Sequence, residues 1–420
     1  MTRPLLRTIP LDQVPSGRRR PVDHATLEAA AAILSDIEAC GDEGVLSHAA
    51  RLGDLPLGTE HLYDRRSLRA ACDRLPVAQR LVLERTAARI RDFADAQKAC
   101  LTNLTLNIPG GRAGHTCLPV GTAGCYAPGG RFPLPSSVLM TVVTAKVAGV
   151  SHVWVASPKP TDATLAAAAV ADADGLLAIG GVQAIGALAM GLCGLPKCDL
   201  IVGPGNRWVT AAKLLISDRV GIDMLAGPSE LLILADDTAD PALVAADLLA
   251  QAEHDDDAVP MLVSTDASLP ARANEHLRKT LDTLPTRATA VTAMGNGFAV
   301  VVPDLESAIA VCDRIAPEHL EVMTRDAEDI SGRVRNAGAV FIGAASAEVL
   351  GDYGAGPNHV LPTGGTSRFR SGLSVFTFMR ARTWLAIDES ESARLLRNDV
   401  AILARMESLE GHARAAELRS

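Results

Sequence analysis

Four short stretches of this chain carry residues able to bind a metal or move a proton. Gln251-Ala252-Glu253-His254 closes a helical run that begins at Pro241. Gln251 and His254 stand three apart, so a helix sets both on one face. An amide oxygen and a neutral imidazole there can hold a divalent metal. Glu318-His319 joins a carboxylate to an imidazole. An imidazole near its ordinary pKa can take a proton from an alcohol at neutral pH, and the carboxylate can activate a water. Asp352 with His359, and Glu407 with His412, complete the set. Any one of these histidines alone reads as a solvated or hydrogen-bonded residue. Together they read as one site built from distant stretches. Gln251, His254, Asp352 and His412 form a nitrogen and oxygen set suited to zinc, with room for a substrate. His359 lies seven residues past Asp352, a spacing that suits contact with substrate or support of the ligands.

The elements that must hold these residues are α/β in pattern. Val22 to Leu52 and Leu68 to Leu101 carry apolar residues at helical spacing, and Thr102 to Ile108 alternates as a half-buried strand does. From Leu118 strands alternate with helices, which predicts a parallel sheet with right-handed crossovers. Tyr126, Gln183 and Asn206 fall at the ends of those strands, where open sheets bind ligands. A second α/β unit starts near Leu231. The tail from Ser390 to Ala416 reads as helix with little of its own to bury against, which suits docking on another subunit. Residues 1–20 read as an arm. Residues 21–120 with 232–373 are expected to form the domain carrying metal and catalytic residues. Residues 121–231 are expected to form the second domain, and 374–420 a small helical tail domain.

Composition narrows the function. The chain has 420 residues, more than one small core needs, and is 48% hydrophobic but only 3% aromatic. A formal charge of −9 with no long basic run argues against nucleic acid. Its eight cysteines are scattered without a CxxC pair, which suits a reduced, cytoplasmic setting. Residues 1–20 hold no apolar core of a secretory signal. Gly175 to Leu195 is uncharged and long enough to span a bilayer, yet holds Gly180, Gly181, Gly186, Gly191 and Gly194, with Gln183 inside. It reads as a buried strand, a glycine turn and a packed helix, so no membrane partner is expected. GxGxxG, Walker and HExxH motifs are all missing, leaving two Rossmann-like parallel sheets without the standard dinucleotide fingerprint.

Eight stretches occur in order: AGCYAPGG, GGVQAIGALA, IVGPGNRWVTAAK, IDMLAGPSE, DLLAQAEH, APEHLEV, GDYGAGPNHVLPTGG and LEGHARA. In these the chain resembles the histidinol dehydrogenase family. The resemblance implies one zinc per site and NAD-linked oxidation of an alcohol, in the family's type reaction twice, from L-histidinol through the aldehyde to L-histidine. It implies zinc ligands Gln251, His254, Asp352 and His412, the last from the neighbouring subunit of a homodimer with shared sites. Glu318 would activate water in the aldehyde step and His319 would be the base on the alcohol. Tyr126, Gln183 and Asn206 match NAD-contacting positions, and Ser229, His359 and Glu407 match substrate contacts, alongside the zinc ligands and His319.

The substrate stays open at this point. KACLTNLTLNIPGG and MESLEGHARAAELR look similar to the branch of the family that oxidises 2,3-dihydroxypropanesulfonate, whereas Ser229 and the 351–369 loop look more like histidinol dehydrogenases. Arg368, Arg370 and Arg382 could suit an anionic substrate. A metal-dependent hydrolase using Glu318 to activate water is a further reading.

Overall fold

The computed structural model describes residues 4–15, 21–55, 59–129 and 133–419. Two six-stranded sheets dominate it. The first runs in the order Arg7–Thr8, Phe298–Val301, Val259–Ser264, Glu230–Ala235, His319–Met323, Ala339–Ile342, with every pair parallel. Its central strands are buried at every residue. Such strands have helices on both faces and read as near-continuous apolar runs. The second runs Leu62–Asp64, Gly175–Leu177, His152–Ala156, Thr122–Tyr126, Leu200–Val202, Gly221–Ile222. Only its edge strand Leu62–Asp64 is antiparallel.

The ambiguous apolar stretch resolves as strand Gly175–Leu177, a glycine turn and helix Gly181–Met190, buried from Val182 to Ala189. Among the described residues no helix is long and apolar enough to cross a membrane.

The expected grouping of 21–120 with 232–373 differs from the observed packing. Helices His24–Cys40 and Asp42–Arg51 lie on the helices of the second sheet, sharing its core through Leu34, Ile37 and Val45. Leu68, Ala87 and Ile90 join the core on its other face. The apolar stripes of these helices match the second sheet, and Leu62–Asp64 adds a strand to it. The segment that does join the first sheet is the arm. Leu6 is fully buried there, and Asn274 bonds its backbone from both sides, at 3.0 and 2.9 Å.

A third sheet was not expected. Met379–Ile387, Gly111–Pro119 and Leu104–Ile108 form an antiparallel ribbon. Residues 374–420 are therefore not wholly helical. Leu104 and Leu106 are exposed on it, so the 104–108 strand is not half-buried within this chain. The tail follows as helices Glu391–Met406 and Glu410–Glu417, broken where Ser408 takes a φ of 64°. Its buried side chains are all alanines, Ala393, Ala401, Ala404 and Ala413, while Leu395, Ile402, Leu403 and Met406 are exposed.

Candidate active site

The catalytic candidates gather at the amino edge of the first sheet. Glu230 and His319 each open a strand, and the two strands are neighbours. Helix Pro241–Glu253 returns to the same edge, with Gln251 in its last turn and His254 at its C-cap. The short helix Glu348–Asp352 supplies Asp352. These residues lie at amino ends of strands, whereas Tyr126, Gln183 and Asn206 follow carboxyl ends in the second sheet.

Glu318 is buried, and its Oε2 accepts from the Ser229 hydroxyl at 2.8 Å and the Glu230 amide at 2.9 Å. Ser229 thus holds Glu318 in this structure. Burial pushes the Glu318 carboxyl well above its usual range, against those two hydrogen bonds.

His319 is 2% exposed. Its Nδ1 lies 3.1 Å from the Glu230 carbonyl oxygen. A carbonyl only accepts, so the neutral ring carries its proton on Nδ1. Nε2 has no hydrogen-bond partner among the described residues and lies 3.7 Å from Asp352 Oδ1. The bare lone pair therefore faces the cleft. The ring was expected to titrate near its ordinary value. Burial instead drives it down to about 4, although Asp352 pulls the other way. The imidazole is neutral and ready to accept at pH 7, yet it binds a proton weakly without a compensating charge.

His254 Nε2 lies 3.4 Å from Asp352 Oδ2. Burial alone would raise the Asp352 carboxyl, but the His254 hydrogen bond and the surrounding imidazoles hold it below the ordinary value. His359 is fixed on both ring nitrogens, Nδ1 2.8 Å from the Asp352 carbonyl and Nε2 3.3 Å from Ser137 Oγ. Ser137 belongs to the second sheet's helix Pro135–Ala148, so His359 ties the two halves at the site. A cavity of about 380 Å³ opens beside these groups, lined by His319, Phe341, Leu350, Asp352, Asn358 and His359.

A divalent cation fits this arrangement. Gln251 is fully buried, and neither amide atom has a hydrogen-bond partner among the described residues. An orphaned buried amide costs about 1–3 kcal/mol unless something completes it. His254, Glu348 and Asp352 offer ligand atoms all within 4.8 Å of one another. Two expected members stand apart: Glu407 and His412 are exposed on the tail.

Tyr126 ends strand Thr122–Tyr126, and Gln183 and Asn206 follow the carboxyl ends of Gly175–Leu177 and Leu200–Val202 in the same sheet. The Tyr126 hydroxyl accepts from the Gly181 amide at 3.2 Å, and burial pushes it up to about 12. Gln183 Nε2 donates to Asp54 at 2.5 Å, and its buried Oε1 has no hydrogen-bond partner among the described residues. Asn206 caps helix Arg207–Ile216. The chain reaches it through Gly203, at φ 114°, where a Cβ would stand 2.0 Å from the Tyr126 carbonyl oxygen. Only glycine permits so close an approach.

Sequence reasoning missed Glu348, Glu321, Asp247 and Asp54. Asp54 sits in a short loop, and Glu348 in a stretch without visible periodicity, so neither carried a signal.

Comparison with known proteins agrees with this geometry. The family model for histidinol dehydrogenase matches residues 17–420. A histidinol dehydrogenase of Pseudomonas aeruginosa is 43% identical over 394 residues, covering 92% of this chain and 89% of that protein. One of Cupriavidus pinatubonensis is 40% identical over 407 residues, covering 94% and 91%. The crystal structure of histidinol dehydrogenase from Elizabethkingia anophelis superposes with a TM-score of 0.92 at 29% identity, covering 100% of this chain and 99% of that one. With a family match across nearly the whole chain and relatives this similar along it, the chain belongs to the histidinol dehydrogenase family.

Proposed function

We propose that this protein oxidises L-histidinol to L-histidine through the aldehyde, using one zinc per site and two NAD. The observation that carries the reading is the cleft around His319, where a bare imidazole nitrogen meets the cluster of His254, Asp352 and the orphaned Gln251 amide. Gln251, His254 and Asp352 hold the metal. Bound there, zinc would fix and polarise the substrate hydroxyl, and NAD would accept the hydride. Nε2 of His319 takes the hydroxyl proton. Glu318, oriented by Ser229 and the Glu230 amide, takes a proton from water in the aldehyde step. Tyr126, Gln183 and Asn206 orient NAD, with Gln183 Oε1 free to accept a hydroxyl of the cofactor.

His412 and Glu407 reach a site only from a second copy, so the working unit is a homodimer whose tails cross. Exposure of Leu395, Ile402, Leu403 and Met406 on the tail supports this. Mixing His254→Ala protein with His412→Ala protein is expected to restore up to about a quarter of wild-type activity, the share random pairing gives intact sites. Absence of rescue, with subunit exchange demonstrated by mass, would refute shared sites.

Removal of metal is expected to abolish turnover, and zinc is expected to restore it at one equivalent per chain. Gln251→Ala is expected to weaken zinc binding, read by calorimetry, by about tenfold or more, because it removes one ligand. Full activity of metal-free protein would overturn the metal assignment.

The sulfonate alternative lacks support at its arginines. Arg368 donates to the carbonyls of Asp313 and Arg314, both at 2.6 Å, and Arg382 lies on the exposed antiparallel ribbon.

A further inference from the structure

Glu348 lies within the cation cluster of His254 and Asp352 but is not among the residues assigned to hold the metal, and its position is unusual. It is 2% exposed, and neither carboxylate oxygen has a hydrogen-bond partner among the described residues. Its Oε1 lies 3.2 Å from Nδ1 of His319. That is the ring nitrogen facing away from the cleft. A buried carboxylate with no donor is costly, and few folds retain one without a use.

The surroundings fix Glu348 firmly. Its own amide donates to Glu321 Oε1 at 2.6 Å. Glu321 is 1% exposed and sits next to Asp247 of helix Pro241–Glu253. Glu348 opens the five-residue helix that Asp352 closes. Four residues apart, the two side chains share one face: Glu348 meets the rear of the imidazole, while Asp352 meets Nε2 at 3.7 Å. The ring is thus gripped from both ends by one short helix, and the Glu230 carbonyl holds Nδ1 from the neighbouring strand. Burial, with the charges of Asp352, Glu321, Glu318 and Asp247 nearby, pushes the Glu348 carboxyl well above its usual range, and His319 is the group of opposite potential charge that it touches.

We propose that Glu348 is the positioning residue of the base: its carboxyl group lies against Nδ1 of His319, beside the Glu230 carbonyl that accepts the Nδ1–H, keeps the Nε2 lone pair aimed at the substrate hydroxyl, and stands behind the ring to balance the imidazolium that forms when Nε2 takes a proton. The arrangement is the orienting logic of a carboxylate behind a catalytic histidine. The inference rests on the reading of His319 as the base.

The test is a double-mutant cycle with Glu348→Gln and His319→Asn in the zinc-loaded dimer. Glu348→Gln is expected to lower kcat about 10–100-fold, with KM for alcohol and for NAD changed less than threefold and zinc content unchanged. In the His319→Asn background the same change is expected to cost less than threefold, because the group it acts through is gone. An unaltered kcat in Glu348→Gln, an equal loss in both backgrounds, or a loss that tracks missing zinc would each overturn the proposal. A second readout needs no turnover. In metal-free, ¹⁵N-histidine-labelled protein, the His319 signal (assigned by its loss in His319→Asn) is expected to show one Nδ1-protonated tautomer. In Glu348→Gln it is expected to average between tautomers. An unchanged signal would overturn the proposal even if histidinol were the wrong substrate, whereas failure of wild type on histidinol with an altered signal would sink only the substrate.

Discussion

His319→Asn is expected to lower kcat for alcohol oxidation by about 10²–10⁴-fold, the range that removal of a positioned general base gives. Asparagine is chosen because its side-chain amide can still donate toward the Glu230 carbonyl that Nδ1 meets at 3.1 Å. Alanine would leave three buried carboxylates, Glu318, Glu348 and Asp352, without the ring between them. The loss should fall on kcat, with KM little altered, because the proton moves in the transition state and not in the ground-state complex. Nothing else in the cleft can replace Nε2. His359 has both nitrogens engaged, by the Asp352 carbonyl and Ser137, and the His254 ring faces Asp352. Steady-state NADH formation, with thermal melting as a control for folding, decides it. A variant that folds and keeps wild-type kcat would remove His319 from the base's role.

Glu318→Gln is expected to separate the two oxidations. Glutamine keeps the shape and can still accept from the Ser229 hydroxyl and the Glu230 amide, but it cannot take a proton. Alcohol oxidation should survive within about tenfold, while oxidation of the aldehyde should fall about 10²–10³-fold. NADH formed per histidinol should then drop from two toward one. The wild-type aldehyde step should also fail at low pH sooner than an ordinary carboxylate would allow. Burial raises the Glu318 carboxyl, and a base works only above its pKa, so activity appears as pH rises through that raised value. Supplying the aldehyde directly and following single-turnover NADH isolates this step. An unimpaired aldehyde step in Glu318→Gln would contradict the assignment.

Much of the fold was legible because its signals are local. The helical run that begins at Pro241 is helix Pro241–Glu253, and the stretch from Gly175 to Leu195 is a strand, a glycine turn and a packed helix, as their residue patterns predict. The alternation of strands with helices predicted both parallel sheets. Where chain and expectation part, the deciding information lies elsewhere in the sequence. Gly111–Pro119 reads as glycine and polar residues among a few apolar ones, and becomes a strand through nine paired positions on Met379–Ile387, some 270 residues away. The run from Leu68 to Leu101 is two helices because Pro76 interrupts it.

The site divides in the same way. Gln251, His254, Glu318, His319 and Asp352 are legible because their residue types are suited to metal and proton chemistry. The structure brings four of them into one chain of contacts, with His254 3.4 Å from Asp352 and His319 3.7 Å from both Glu318 and Asp352. Glu348 and Glu321 are ordinary glutamates by type. Burial alone distinguishes them, and burial is set by the packing of a five-residue helix that no periodicity betrays. The low proton affinity of His319 is equally a product of enclosure. No spacing in the sequence signals that its ring would be 2% exposed.

The central claim, a two-step oxidation of histidinol, is tested most directly by counting NADH. Zinc-loaded protein given a limiting, known amount of L-histidinol with excess NAD should form two NADH per substrate and yield histidine, and should form none with 2,3-dihydroxypropanesulfonate. Absence of NADH from histidinol alongside turnover of the sulfonate would contradict the account.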